Sequence, residues 1–177
     1  VYEACKKIKK KQSINNNDII VCVQGDEPML DPNMINEVVK KIKKNHKAGS
    51  VVLGMKIINK KQFLDKNIVK IINRANGEVL YTSRSPIPHC KNFNSKINAK
   101  RIYGIFSFKY KFLKKFYNTK ESFLEKVEAC DSNRICDNYG GQYVADYPYK
   151  KSFSVDCPAD LKKVEKFMKK DRLYKKY

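Results

Sequence analysis

The stretch DIIVCVQGDEPMLDP, residues 18–32, decides the fold. Its first half is a nearly continuous apolar run, which is typical of a central parallel strand covered on both faces. The run stops at two carboxylates, Asp26 and Glu27, and Asp31 and Pro32 then supply an N-cap and a first-turn proline. Apolar residues at helical spacing follow. The stretch therefore predicts a buried strand, an acidic turn and an amphipathic helix.

Alternation of strands and helices continues along the rest of the chain. The further predicted elements are, in order, a strand SVVLGMKI, a hairpin of IVKII and EVLYTS around NRANG, a strand RIYGIFSFK, helices YKFLKKFYN and FLEKVEACDSNRICDN, strands QYVADYPY and SFSVD, and a terminal helix PADLKKVEKFMKK. This order predicts an α/β fold with a mixed sheet flanked by helices and a hairpin insert. We expect one domain, residues 1–177.

Composition bounds the class of protein. Hydrophobic residues make up 42% of the 177 residues, enough for a globular core, and no apolar run approaches the roughly 18 residues of a membrane span. The net charge is +20, but only five of the 38 basic residues are arginines, whereas nucleic-acid surfaces usually add arginine for bidentate contacts. We therefore expect neither a nucleic-acid partner nor a membrane. Six cysteines without metal-site spacing indicate a reducing, cytoplasmic location.

Two predicted strands end in an aspartate. Asp26 closes VCVQGD and Asp156 closes SFSVD. In open α/β sheets, ligands bind beyond the carboxyl ends of the strands, and Mg²⁺ is often held by one or two carboxylates together with substrate phosphates. The pair could therefore form a magnesium half-site. Simpler interpretations stay open: a polar turn before Pro28, and helix capping by Asp156.

Other candidates are less specific. Arg84, between two serines in the proline-stiffened loop SRSPIPH, could clamp a carboxylate or phosphate, or could hold loop carbonyls as a structural residue. Glu125 and Glu128 fall on one face of a predicted helix with Arg134 beyond them, a pattern usual for a solvated row of ion pairs.

Taken together, the motifs resemble one family. VQGDEPML, NIVKII, LYTSRSPIP, RIYGIF, FLEKVEACDSNR and VDCPADL occur in the order and at about the spacing found in 3-deoxy-manno-octulosonate cytidylyltransferases, the CMP-Kdo synthetases. The resemblance implies a nucleotide-diphospho-sugar-transferase-like fold and magnesium-dependent transfer of CMP from CTP to the sugar acid Kdo, for lipopolysaccharide synthesis. It also implies a homodimer that forms through the hairpin and the 101–117 region.

The resemblance assigns roles to individual residues. Asp26 and Asp156 match metal-binding aspartates and, with the loop residue Arg84, are the candidate catalytic residues. Gln24 matches a residue beside the bound sugar and nucleotide. Either Glu125 or Glu128 matches a glutamate that faces the sugar pocket. Arg84 is also a candidate substrate-binding residue.

Two departures from the family pattern qualify these expectations. The glycine-, arginine- and lysine-bearing phosphate loop that opens family members has no counterpart here, so we expect a truncated chain that is inactive alone. Ile102 and Phe106 stand where the family commonly has histidine and tyrosine. A variant acid sugar, such as amino-Kdo or a sialic acid, is therefore an alternative substrate. A non-catalytic basic binding domain is an alternative from a different class.

Overall fold

A mixed six-stranded sheet organises the chain in a computed structural model that describes residues 1–155, 157–171 and 173–174. The strands are β1 (Ile19–Val23), β2 (Ser50–Lys56), β3 (Lys70–Asn73), β4 (Val79–Ser83), β5 (Lys100–Lys109) and β6 (Gln142–Tyr147). Their order is β4-β3-β5-β2-β6, with β1 also alongside β5. Only the β2–β6 pair is parallel among the described pairings. The ten residues of β5 pair with β1, β2 and β3, which makes β5 the centre of the sheet.

Helices cover both faces of this sheet. They are α1 (Tyr2–Lys9), α2 (Pro32–Lys44), α3 (Lys60–Leu64), α4 (Tyr110–Asn118), α5 (Phe123–Glu128), α6 (Ser132–Asn138) and α7 (Pro158–Met168). The start of α2 follows from the sequence, because the Asp31 side chain accepts a hydrogen bond of 3.0 Å from the Asn33 N–H and Pro32 occupies the first turn. Among the described helices, none is long and apolar enough to cross a membrane.

The hydrophobic core has two halves, one on each face of the sheet. Val51, Leu53 and Met55 of β2 point to one face, where α2 packs on them, whereas Val52 points to the other, where it joins residues of α1, α4 and α6. Alternate side chains of a strand lie on opposite faces, so one strand serves both halves. This two-sided burial holds β5 and the turn after β1 in fixed positions, and the candidate site is built there.

The predicted fold class is confirmed, as is the hairpin, in which Gly77 adopts φ +89° between β3 and β4. Two predicted details are wrong. β1 is not a central strand with parallel neighbours, because among the described residues its only strand partner is β5, and they run antiparallel. Residues 152–155 of SFSVD form no strand, because side-chain contacts hold this segment against the turn after β1, as described below.

Candidate active site

Three cavities meet just beyond the end of β1. A cavity of about 240 Å³ lies over the acidic turn, and neighbouring hollows of about 340 and 430 Å³ share Gln24 and Asp131 with it. The central cavity is lined by Gln24, Asp26, Glu27, Asn67, Ile68, Val69, Arg84, Arg101, Ile102, Gly104, Phe106, Ala129, Cys130, Asp131 and Ser154. The structure thus brings Gln24, Asp26 and Arg84, three of the predicted site residues, to the same cavity.

The acidic turn presents its two carboxylates in opposite ways. The Gln24 N–H extends the pairing of β1 by donating to the Gly104 carbonyl at 2.9 Å, and Asp26 follows with an exposed side chain. The Glu27 side chain is buried, only 7% exposed. Asp156 lies outside the described residues, but its neighbour Val155 donates its N–H to the Asp26 carbonyl at 2.9 Å. The metal role of Asp26 and Asp156 therefore stays a prediction. The contact of Val155 with Asp26 is consistent with it.

Arg84 uses its guanidinium on backbone carbonyls. Its nitrogens donate to Glu128 O at 2.9 Å and to Lys66 O and Ala129 O at 3.2 Å each. This arrangement fits the alternative in which the arginine holds loops together, and it leaves the catalytic and substrate-binding roles of Arg84 as predictions. By binding two separate segments at once, one at Lys66 and one at Glu128 and Ala129, Arg84 fixes the rim of the central cavity.

The long helix predicted over FLEKVEACDSNRICDN is wrong, because the structure divides it into α5 and α6. Ala129 adopts a left-handed conformation, φ 46° and ψ 50°, and the Cys130 N–H bonds back to Glu125 O at 3.2 Å. At the end of α5, the carbonyls of Glu128 and Ala129 have no partner within the helix, and they accept hydrogen bonds from Arg84 instead. The break turns Cys130 and Asp131 into the cavity wall.

Glu128 has a fully engaged carboxylate. It accepts hydrogen bonds from Tyr81 Oη and Ser83 Oγ, each at 2.7 Å, and from the Arg84 N–H at 2.8 Å. Burial raises the pKa of Glu128, but the hydrogen bonds from Ser83, Arg84 and Tyr81 outweigh it and hold the pKa below its usual value. Burial, together with the contact to Glu128, raises the pKa of Tyr81 to about 12. These contacts make Glu128 an anchor for the Arg84 loop.

Replacing Glu128 with glutamine should make the protein less stable at neutral pH and remove part of its acid sensitivity. A carboxyl group whose pKa is lowered in the folded state stabilises above its unfolded pKa of about 4.3, and this contribution is lost as pH falls through the folded pKa. We expect Glu128→Gln to lose about 1–2 kcal/mol at pH 7, and the difference from wild type to shrink toward pH 3. Urea unfolding at several pH values measures this, and a constant difference would contradict it.

Glu125 faces Arg134 across the helix break. Its Oε1 and Oε2 accept from Arg134 Nη2 at 2.5 Å and Nε at 2.7 Å, while Ser122 completes a capping box with it. The Glu125 side chain is buried, so the pair is not the solvated row that helical spacing suggested. Glu125 lines the hollow of about 430 Å³ together with Gln24 and Asp131. Its role in binding sugar stays a prediction.

Two charged residues of the site, Asp131 and Arg101, were not among the site residues predicted from the sequence. Asp131 lines all three cavities, and its pKa is raised by burial and by the charge of Glu125, although the open cavities keep its side chain in contact with solvent. Arg101 adds a guanidinium to the central cavity. Ile102 and Phe106, which depart from the family pattern, line that cavity as well and make part of its wall apolar.

Gly104 on β5 is required by the close approach of the turn. A Cβ atom there would lie 2.5 Å from Gln24 Oε1 and 2.9 Å from Glu27 Cγ. We expect Gly104→Ala to cost about 1–3 kcal/mol and to displace Gln24 and Glu27. Gly25→Ala is the matched control, because nothing lies within 4 Å of its Cβ position. Equal urea midpoints for the two variants would contradict this.

The donor set suits a hard cation. Asp26 and Asp131 offer carboxylate oxygens at the central cavity, and neither histidine lines it. In the described part of the chain, no three histidine, cysteine, aspartate or glutamate side chains come together as a complete metal site. Mg²⁺ often takes only one or two carboxylates and completes its shell with water and substrate phosphates, so these residues fit a half-site of that kind.

Comparison with known proteins identifies the family. The Cytidylyltransferase family profile matches residues 1–175. The chain is 40% identical over 171 residues to the 3-deoxy-manno-octulosonate cytidylyltransferase of Wigglesworthia glossinidia brevipalpis, covering 94% of this chain and 68% of that relative. It is 35% identical over 156 residues to the enzyme of the same name from Ruthia magnifica subsp. Calyptogena magnifica, covering 86% of this chain and 63% of that relative.

A solved structure supports the fold. The chain superposes on a CMP:2-keto-3-deoxy-manno-octonic acid synthetase complexed with CTP with a TM-score of 0.79 at 24% identity, covering 96% of this chain and 68% of that one. The chain thus spans about two thirds of the length of the proteins it matches. From the profile match and the relatives, the chain belongs to the cytidylyltransferase family of nucleotidyltransferases, among the 3-deoxy-manno-octulosonate cytidylyltransferases.

Proposed function

We propose that this chain carries the metal-binding and sugar-binding side of a CMP-Kdo synthetase, an enzyme that transfers CMP from CTP to Kdo. The observation that carries the proposal is the central cavity, where Asp26 and Gln24 at the end of β1 face the Asp131 segment across a small polar space. The names of the relatives favour Kdo over an amino-substituted Kdo or a sialic acid. They also disfavour a non-catalytic binding domain.

The reaction needs positioning more than covalent help from the protein. The anomeric hydroxyl of the sugar attacks the α-phosphorus of CTP, a new oxygen–phosphorus bond forms, the bond to the β-phosphate bridge breaks, and pyrophosphate leaves while the hydroxyl proton is released. When bound, Mg²⁺ would neutralise the charge that develops on the phosphate oxygens. Asp26 and Asp156 are the residues proposed to hold it.

The chain's own side chains have defined tasks in this proposal. The Gln24 amide lies where it can donate to a sugar or nucleotide oxygen. It has room there only because Gly104 has no side chain. Arg101 places a positive charge in the cavity, which favours an anionic substrate. Arg84 holds the rim in shape through its three carbonyl contacts.

Location, pathway and assembly extend the proposal. We place the enzyme in the cytoplasm and in lipopolysaccharide synthesis, and we expect a homodimer. The regions implied in dimer formation are the hairpin and residues 101–117, which include most of β5 and α4. Because β5 lies inside the sheet, the hairpin and α4 remain available for a dimer contact. Leu80 of the hairpin is 44% exposed and Tyr117 of α4 is 46% exposed, as an apolar contact surface would require.

The test is product formation. The chain would be extended at its N-terminus with the corresponding segment of the Wigglesworthia relative, and phosphorus NMR would follow CTP with Mg²⁺ and either Kdo, its amino analogue or a sialic acid. We expect pyrophosphate and CMP-Kdo with Kdo only. A product formed from a sialic acid but not from Kdo would overturn the substrate assignment.

A further inference from the structure

A short segment without helix or strand lies against the acidic turn. This segment, residues 150–155, is here called the strap. At its start, Lys150 Nζ lies 3.5 Å from Asp31 Oδ2 and donates to Met29 O at 3.4 Å. In its middle, Ser152 Oγ accepts from Arg101 Nη2 at 3.0 Å. The first half of the strap is therefore held by the segment before α2 and by Arg101 of β5, which lines the central cavity.

The second half of the strap is held by the acidic turn itself. Ser154 Oγ donates to Glu27 Oε1 at 2.8 Å, and the N–H of Val155 donates to the Asp26 carbonyl at 2.9 Å. Val155 is the last described residue before position 156. The two bonds fix the strap immediately before that position and beside Asp26.

The Glu27 side chain is buried at the point where it contacts the strap. It is 7% exposed and lies beside the fully buried Tyr103. Burial and, after it, the nearby charge of Glu27 raise the pKa of Tyr103. Because burying a carboxylate costs free energy unless its oxygens are paired, the bond from Ser154 helps to keep Glu27 at this position.

We propose that Glu27 is a positioning residue, which holds Ser154 and thereby keeps Val155 beside Asp26. The inference rests on the proposed function, because the position of the strap matters for catalysis only if Asp156 binds the cation. Neighbours of metal ligands commonly act in this way, and their loss weakens metal affinity by about 10- to 100-fold. In this proposal, Asp26 binds the cation and the neighbouring Glu27 holds the strap.

Hydrogen exchange tests the contact without any ligand. The exchange of the Val155 amide would be followed by NMR in the chain itself, with Ser154→Ala as the mildest variant and Glu27→Ala and Glu27→Gln as a matched pair. We expect exchange about five- to tenfold faster in Ser154→Ala and Glu27→Ala, and near the wild-type rate in Glu27→Gln, whose amide oxygen can still accept from Ser154. Equal rates in all four proteins would overturn the inference.

Measuring cation affinity distinguishes a positioning role of Glu27 from a role in packing alone. Mn²⁺ affinity, measured by electron paramagnetic resonance with CTP on the extended chain, should fall about tenfold in Ser154→Ala and recover in Glu27→Gln relative to Glu27→Ala. Faster Val155 exchange with unchanged Mn²⁺ affinity would overturn the positioning role. A wild-type protein that binds no Mn²⁺ would instead overturn the proposed function, while the exchange result would still decide whether Glu27 holds the strap.

Discussion

Asp26→Asn should lower the rate of CMP-Kdo formation by about a thousandfold or more, which corresponds to about 4 kcal/mol of transition-state stabilisation. The side chain is exposed on the wall of the central cavity, and asparagine keeps its shape while it removes the negative charge that a magnesium ligand needs. Because the side chain is exposed, we expect no loss of stability. The rate would be measured on the extended chain at saturating CTP and Mg²⁺.

Glu37→Gln is the control for this prediction. It makes the same change in net charge, and Glu37 lies on α2 in an exposed pair with Lys40, 3.7 Å apart. Exposed pairs of this kind contribute little to stability. We expect its rate to stay within about twofold of wild type, because only a charge at the cavity matters in this account. A rate for Asp26→Asn within tenfold of wild type would contradict the metal role of Asp26.

Lys70→Met should be the most destabilising substitution considered. Lys70 is fully buried, and its ammonium donates to three backbone carbonyls, Asp65 O at 2.8 Å, Ile68 O at 2.7 Å and Arg84 O at 2.5 Å. Burial lowers the pKa of Lys70, but the three acceptors compensate for its desolvation. Methionine fills a similar volume and leaves all three carbonyls without this donor. We expect a loss of about 3–5 kcal/mol in the free energy of unfolding.

Urea unfolding measures this loss, and Lys61→Met provides the comparison. Lys61 is exposed on α3, so its substitution should change stability by no more than about 0.5 kcal/mol. Because Lys70 binds the Arg84 and Ile68 carbonyls at the rim of the central cavity, Lys70→Met should also weaken CTP-dependent cation binding. Equal unfolding midpoints for the two variants would show that the three contacts contribute nothing.

The parts of the fold that local pattern controls were predictable. The acidic turn was visible because an apolar run stops at carboxylates, and α2 was visible because Asp31 and Pro32 mark its start. The hairpin followed from the glycine in its turn, where a positive φ is needed. Each of these signals lies within a few residues of the structure it determines.

The parts that distant residues control were not predictable. Nothing in FLEKVEACDSNRICDN marks the break at Ala129, because the carbonyls released there are satisfied by Arg84, 45 residues earlier in the chain. The same holds for the strap, which looks like a strand in sequence but is held by Glu27 from the other end of the chain. Adjacent carboxylates gave no sign that Asp26 would be exposed and Glu27 buried.

The central claim is that Asp26 marks a cation site which the nucleotide completes. Mn²⁺ binding to the extended chain, followed by electron paramagnetic resonance with and without CTP, tests it most directly, with Asp26→Asn and Glu37→Gln measured in parallel. The account predicts that CTP tightens Mn²⁺ binding in wild type and in Glu37→Gln, and that Asp26→Asn abolishes this binding. The same Mn²⁺ affinity in Asp26→Asn as in wild type would contradict it.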